Sequence, residues 1–291
     1  MFVATLLTAP DRRLDPSLVA ALRNAMGGGE ARWLSTEEAA EFPLPHIPGN
    51  FDELHESLLS EAVDLCLQPA ENRRKKMLLA DMDSTMIQQE CIDELADEAG
   101  VGARVKDITA RAMNGELDFD GALTERVGLL QGLPLATVDR VLANRITLMP
   151  GGPELLATMK ANGAYCALVS GGFTMFTAAI AARLGFDENR ANTLLTDGDT
   201  LSGKVARPIL GREAKVQALE EITARLGLTD ADVLAVGDGA NDLGMLTRAG
   251  AGVALHAKPA VAAQCNLRVN FGDLTALLYL QGYARSDFAP L

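Results

Sequence analysis

Cysteine and histidine are scarce and scattered in this chain of 291 residues: Cys66, Cys91, Cys166 and Cys265, with His46, His55 and His256. There is no C-x-x-C pair and no histidine at a metal-ligand spacing from a cysteine, which argues against a zinc site or a disulfide framework. Thiols so far apart suit a reducing cytoplasm, where buried cysteine behaves as a small hydrophobe. G-x-S-x-G is also missing, and with few histidines to act as base a serine hydrolase is not expected. A charge-free window of spanning length occurs at residues 161–182, but Ser170-Gly171-Gly172 divides it into a strand and an amphipathic helix. A membrane-bound protein is therefore not expected.

Positive charge is in short supply too. Lys and Arg number 26 against 39 Asp and Glu, a formal charge of −13. Such an excess repels nucleic-acid backbones and anionic lipid. The basic run Arg73-Arg74-Lys75-Lys76 reads as a solvated linker, so no nucleic-acid partner is expected. Arg12 and Arg13 follow the apolar N-terminal stretch, the reverse of a secretory signal, which points to the cytoplasm. A small anionic substrate remains compatible, because a metal ion or a few convergent cations reverse the field inside one cleft.

Residues 2–8 read as a strand, 16–26 as a helix closed by Gly27-Gly28-Gly29, and 31–35 as a second strand. A proline-containing loop over 42–50 precedes a helical pattern over 51–67, giving residues 1–72 as a small α+β domain of βαβα order. From Met77 short apolar runs alternate with helices, as in a parallel sheet of βα units. The runs are 77–80, 165–169, 233–236, 252–255 and 267–271, and helices are expected near 153–161, 173–184, 214–226, 242–249, 259–265 and 274–283. Residues 88–145 contain no strand-like stretch and read as a helical insertion, while 192–206, centred on Asp197-Gly198-Asp199, reads as a β-hairpin. The fold class expected for 73–291 is thus α/β, a Rossmann-like parallel sheet core carrying an inserted helical cap.

Three apolar runs end in a polar residue where a parallel strand gives way to a loop: Asp81, Ser170 and Asp238. Strand ends of an open α/β sheet converge on one edge, where ligands bind. Asp81-Met82-Asp83-Ser84-Thr85 offers two carboxylates able to divide nucleophile and acid/base roles, or simply to cap a helix. Ser170-Gly171-Gly172 opens a helix, so its N–H groups and hydroxyl can hold a phosphate or serve as an N-cap. Lys215 falls in the first turn of its helix, against the macrodipole, and reads either as an exposed lysine or as a hint of an anionic partner. Asp238-Gly239-Ala240-Asn241-Asp242 adds hard oxygen donors suited to Mg²⁺, or a helix start.

In this order, Asp81-x-Asp83-x-Thr85, Ser170, Lys215 and Gly237-Asp238-Gly239-x-Asn241-Asp242 resemble the four motifs of the haloacid dehalogenase superfamily. The longer strings around them, with Ser170-Gly171-Gly172-Phe173, resemble its phosphoserine phosphatase family. The resemblance implies that Asp81 attacks the phosphorus of O-phospho-L-serine to form an aspartyl phosphate, and that Asp83 serves as acid and then base. It implies Mg²⁺ on the Asp81 and Asp238 carboxylates and the Asp83 carbonyl, with Asp242 supporting them. Ser170, Gly171, Lys215 and Asn241 would bind the phosphate. Glu90 would take the substrate ammonium and Arg126 its carboxylate, with Met113 and Phe119 as apolar cap walls.

Residues 1–72 partly resemble ACT-type regulatory modules, although such a βαββαβ unit has more strands than are legible here; a dimerisation or packing role is at least as strong an expectation for them. Two rival readings are a phosphotransferase passing the phosphoryl group to an alcohol such as homoserine, and a phospho-accepting receiver domain. A receiver carries its phosphorylated aspartate on a later strand and has no cap.

Overall fold

Strand β1 (Phe2–Thr8) is apolar along both faces because both are covered, and it forms the centre of the first sheet. The computed structural model describes residues 1–113 and 116–291; the side chain of Met113 lies outside the described residues, and with it the expectation placed on that residue. Helix α1 (Pro16–Ala25) starts at Asp15, whose carboxylate accepts from the Ser17 N–H at 2.7 Å, with proline in the first turn. There follow β2 (Arg32–Ser35), β3 (Ala39–Leu44), α2 (Phe51–Leu59) and β4 (Val63–Pro69), forming an antiparallel sheet of order β2-β3-β1-β4.

The N-terminal order is therefore βαββαβ, which corrects the expected βαβα. Strand β2 pairs with β3 only at residues 39–41, so the outer flank of β3 has no partner strand at Pro43 and proline is tolerated there. The helical spacing expected over 51–67 holds for Phe51–Leu59 and fails beyond it. Ala62 adopts a left-handed φ of 55° beyond the end of α2, and the chain then extends as β4. Val63 and Leu65 join the core of the first sheet, while Cys66 belongs to the main core. A strand buried on both faces shows no alternation to betray it.

Asp64 on β4 is fully buried and accepts from the backbone N–H groups of Asn270, Phe271 and Gly272 at 2.8, 3.0 and 3.0 Å. In the basic run Arg74 and Lys76 are exposed as expected, while Arg73 and Lys75 depart from the solvated reading. Arg73 bridges the Glu41 carboxylate at 2.7 Å and the Leu280 carbonyl at 3.0 Å, and the Lys75 ammonium donates to the Ala231 carbonyl at 2.8 Å. Both side chains join the first sheet and its linker to the rest of the chain.

Strand β5 (Met77–Ala80) leads into α3 (Cys91–Glu98), α4 (Gly102–Met113), α5 (Phe119–Gly128) and α6 (Leu135–Asn144), as the strandless stretch led one to expect. Then come α7 (Gly152–Ala161), β6 (Tyr165–Phe173), α8 (Thr174–Leu184), β7 (Glu188–Asn192), the hairpin β8 (Leu194–Asp197) and β9 (Thr200–Val205), and α9 (Arg212–Leu226). The chain closes with β10 (Val233–Gly237), α10 (Leu243–Arg248), β11 (Ala251–Leu255), α11 (Pro259–Ala262), β12 (Leu267–Val269) and α12 (Ala276–Leu280).

The larger sheet has six parallel strands in the order β12-β11-β10-β5-β6-β7. Its inner strands are continuous apolar runs, because helices cover both faces. The polar edge strand β7 was not legible. Strands β10, β5 and β6 are neighbours, so the loops after them open side by side at one edge. Among the described residues no helix is long and apolar enough to cross a membrane.

Candidate active site

Asp81 ends the central strand β5 and is buried. One of its carboxylate oxygens accepts from the Met82 N–H at 2.7 Å and lies 2.8 Å from the Lys215 ammonium. Lys215 is 1% exposed, which overturns its reading as a surface residue, and it also meets Asp242 at 2.5 Å. Helix α9 thus buries a cation in its first turn because two carboxylates await it. Burial pushes the Lys215 pKa down, but Asp81 and Asp242 outweigh that and hold it above the ordinary lysine value.

Oxygens of Asp81, Asp238 and Asp242 lie within 4.8 Å of one another. Thr85 donates to Asp238 at 3.2 Å, and Asp242 accepts from the Gly239 N–H at 2.9 Å. Asp242 stands at the start of α10, yet its side chain does not cap that helix. Gly237 makes room for it: a Cβ there would lie 2.3 Å from the Asp242 carboxyl carbon. Burial, and the Asp242 charge after it, push Asp81 well above the usual carboxylate range and Asp238 up to about 6. Five carboxylates, counting Asp83 and Glu90, here face two cations, Lys215 and Arg126. Such an excess of negative charge on hard oxygen donors, buried at Asp81 and Asp242 and half-buried at Asp83 and Asp238, fits a divalent cation.

Asp83 accepts from the Cys91 N–H at 3.0 Å, and the Ser170 hydroxyl donates to its other oxygen at 3.4 Å. Burial, then the nearby Glu90 charge, raise its pKa to about 7. Gly172 is the unforeseen part of this contact, since a Cβ there would lie 2.5 Å from Asp83 Oδ2. Ser170 does not cap a helix: β6 continues to Phe173, α8 begins at Thr174, and the Ser170 oxygen accepts from the Gly172 N–H at 2.9 Å.

Above these groups, a cavity of about 110 Å³ is lined by Asp81, Asp83, Ser170, Gly171, Asp238 and Asn241 below and by Glu90, Phe119 and Arg126 from the helical insertion. Ile92 and Leu123 complete its apolar wall, and nothing in their spacing distinguished them from helix core. Ser84, at a left-handed φ of 55°, donates to Glu90 at 2.7 Å and orients it. Arg126 donates through Nε to the Ala122 carbonyl at 3.2 Å. Burial lowers the Arg126 pKa, and Asp93 and Glu90 oppose that. Phe119 rests on two glycines, its ring within 3.3 Å of where a Gly171 Cβ would be and 3.2 Å of a Gly211 Cβ. The cleft therefore offers a buried carboxylate beside a cation, a second carboxyl that exchanges its proton near neutrality, and an acid–base pair of opposite charge at the roof.

Comparison with known proteins agrees with this geometry. The profile of the haloacid dehalogenase-like hydrolases matches residues 78–247. A probable phosphoserine phosphatase of Schizosaccharomyces pombe is 41% identical over 244 residues, covering 81% of this chain and 82% of that protein. The crystal structure of a HAD family hydrolase from Salmonella enterica serovar Typhi superposes with a TM-score of 0.87 at 32% identity, covering 96% of this chain and 97% of the other. That of a probable phosphoserine phosphatase from Vibrio cholerae gives 0.77 at 30% identity, with 98% and 87% covered. The chain spans 62%, 57% and 65% of the length of the relatives from Streptomyces coelicolor, Archaeoglobus fulgidus and Haemophilus influenzae, each named phosphoserine phosphatase.

Proposed function

Since the chain belongs to the haloacid dehalogenase-like hydrolases, we propose that it hydrolyses O-phospho-L-serine to L-serine and phosphate. One observation carries this reading: two carboxyl groups stand at one strand end, Asp81 against the Lys215 ammonium and Asp83 accepting from the Cys91 N–H, beneath a roof carrying one acidic and one basic side chain. Asp81 attacks phosphorus, and the bond to the serine oxygen breaks as Asp83 gives that oxygen its proton. Water then attacks the aspartyl phosphate, its proton passing to Asp83, and Asp81 is released. A carboxyl at about 7 serves both directions near neutral pH. Ser170, the Gly171 N–H, Lys215 and Asn241 hold the phosphoryl oxygens. Glu90 receives the substrate ammonium, Arg126 its carboxylate, and Phe119 covers the apolar carbons, a wall to which Met113 is also assigned.

Mg²⁺ is the cation proposed, on the Asp81 and Asp238 carboxylates and the Asp83 carbonyl, with Asp242 behind them; it would neutralise charge between an anionic nucleophile and an anionic phosphate. The same reading divides the chain into 1–72 and 73–291, with a cap at about 88–145. It expects a cytoplasmic enzyme, able to form a homodimer, with no nucleic-acid partner.

The test is phosphate release from O-phospho-L-serine in Mg²⁺, compared with Asp81→Asn and with excess EDTA. Turnover by the native protein alone, abolished in both controls, is the expected result. Absence of turnover by folded protein would overturn the substrate assignment. Phosphohomoserine accumulating in place of phosphate, with homoserine present, would move the activity to the transferase.

A further inference from the structure

Strands β6 and β7 pair at Val169–Arg190 and again at Phe173–Asn192. Between these rungs β6 carries Ser170, Gly171 and Gly172 while β7 carries Ala191 alone, so the phosphate-binding residues form a bulge pushed out of the ladder. A bulge leaves backbone groups without strand partners. Here one side chain replaces the missing partner. The Asn192 amide nitrogen donates to the Gly171 carbonyl at 2.9 Å and to the Leu210 carbonyl at 3.1 Å, and its oxygen accepts from the Leu210 N–H at 2.7 Å. Asn192 is 2% exposed, and its side-chain hydrogen bonds go only to backbone atoms of Gly171 and Leu210.

The Gly171 carbonyl shares its peptide plane with the Gly172 N–H, which donates to the Ser170 oxygen at 2.9 Å. Holding that carbonyl fixes the plane, and the plane occupies a Ser170 lone pair. The Ser170 proton is then directed to the cleft side, where the hydroxyl meets Asp83 at 3.4 Å. On the other side Leu210 and Gly211 precede α9, which carries Lys215. We infer that Asn192 is a positioning residue that locks the Ser170 bulge to the start of the Lys215 helix, so that hydroxyl and ammonium meet a phosphoryl group in a fixed register. This rests on the phosphatase reading of the same cleft.

Asn192→Ala removes all three bonds, and Asn192→Ser keeps one donor in a smaller, more readily folded change. The control is Thr177→Val, which deletes the part-buried Thr177–Asn189 bond of 2.9 Å against the same strand without reaching the bulge. Binding of inorganic phosphate with Mg²⁺ is measured by calorimetry, with kcat and KM for phosphoserine and the melting temperature alongside. The expected result is phosphate affinity weakened about tenfold and kcat lowered about tenfold or more in Asn192→Ala, with KM changing less than kcat and Asn192→Ser intermediate. Thr177→Val should melt earlier yet bind phosphate as the native chain does. Unchanged phosphate affinity and kcat in both Asn192 variants, with the native chain active, would overturn the inference and leave the function standing. Equal loss in Thr177→Val would overturn it by making the effect one of general stability. A native chain that neither binds phosphate nor turns over phosphoserine would remove the functional reading, and the inference with it.

Discussion

Lys215 is a charged residue 1% exposed to solvent, held by Asp81 at 2.8 Å and Asp242 at 2.5 Å. Deleting one member of a buried charged cluster is more damaging than never having built it. Lys215→Met should lose about 3–5 kcal/mol in urea denaturation at low metal; a loss below about 1 kcal/mol would mean that the carboxylates are not truly desolvated. Asp232 contributes to the acid limb of stability. Hydrogen bonds from the Thr229 N–H and hydroxyl, with Lys76 at 3.0 Å, hold its carboxyl down to about 2 from 3.8. A depressed folded pKa means stability that is complete above 3.8 and lost as pH falls through about 2. Asp232→Asn should flatten the decline of stability over that window, and equal slopes in both proteins would refute the assignment. Residues of this kind divide by legibility. Asp81, Ser170 and Asp238 were readable because each ends an apolar run, whereas Lys215 carries no local sign of burial and Asn192 lies in a strand too polar to recognise.

Strand β4 shows what an element can hide. Its residues fit a helix continuing α2, and only the tertiary partners on each side make it extended. Parallel strands β5, β6 and β10 needed no such help, since four or five consecutive apolar residues before a loop admit few other placements. The helical character of the stretch between β5 and α7 was likewise evident from its length without strand character, but its division into four helices was not. Asp64 supplies a test of β4 itself. Asp64→Ala leaves the N–H groups of Asn270, Phe271 and Gly272 without their acceptor, and a loss of about 2–4 kcal/mol is expected from chemical denaturation. Burial raises the Asp64 pKa against these donors, so Asp64→Asn, which retains an acceptor oxygen, should lose less. Indifference to both changes would show that the strand is not anchored through this carboxylate.

Across the whole molecule a charge of −13 surrounds a cleft proposed to accept a dianionic phosphate ester. Long-range repulsion of that kind is screened by salt. The KM for phosphoserine should therefore fall about two- to threefold as ionic strength rises from roughly 10 to roughly 150 mM; a KM that climbs with salt would place local cations, not net charge, in control of capture. The hairpin β8–β9 also changes how the molecule divides mechanically. Its backbone is bonded to the turn between α5 and α6, with Gly132 donating to Leu201 at 2.8 Å, Leu201 to Leu133 at 2.9 Å and Leu135 to Asp199 at 2.9 Å. Gly203 lies against Gln131 so closely that a Cβ there would come within 2.8 Å of it. Any swing of α5 and α6 away from the sheet must either break this ladder or carry the hairpin with it. Such a swing would therefore move two separate stretches of chain together, the second joined at its base by the 2.8 Å backbone bond from Ala206 to Thr193 next to Asn192.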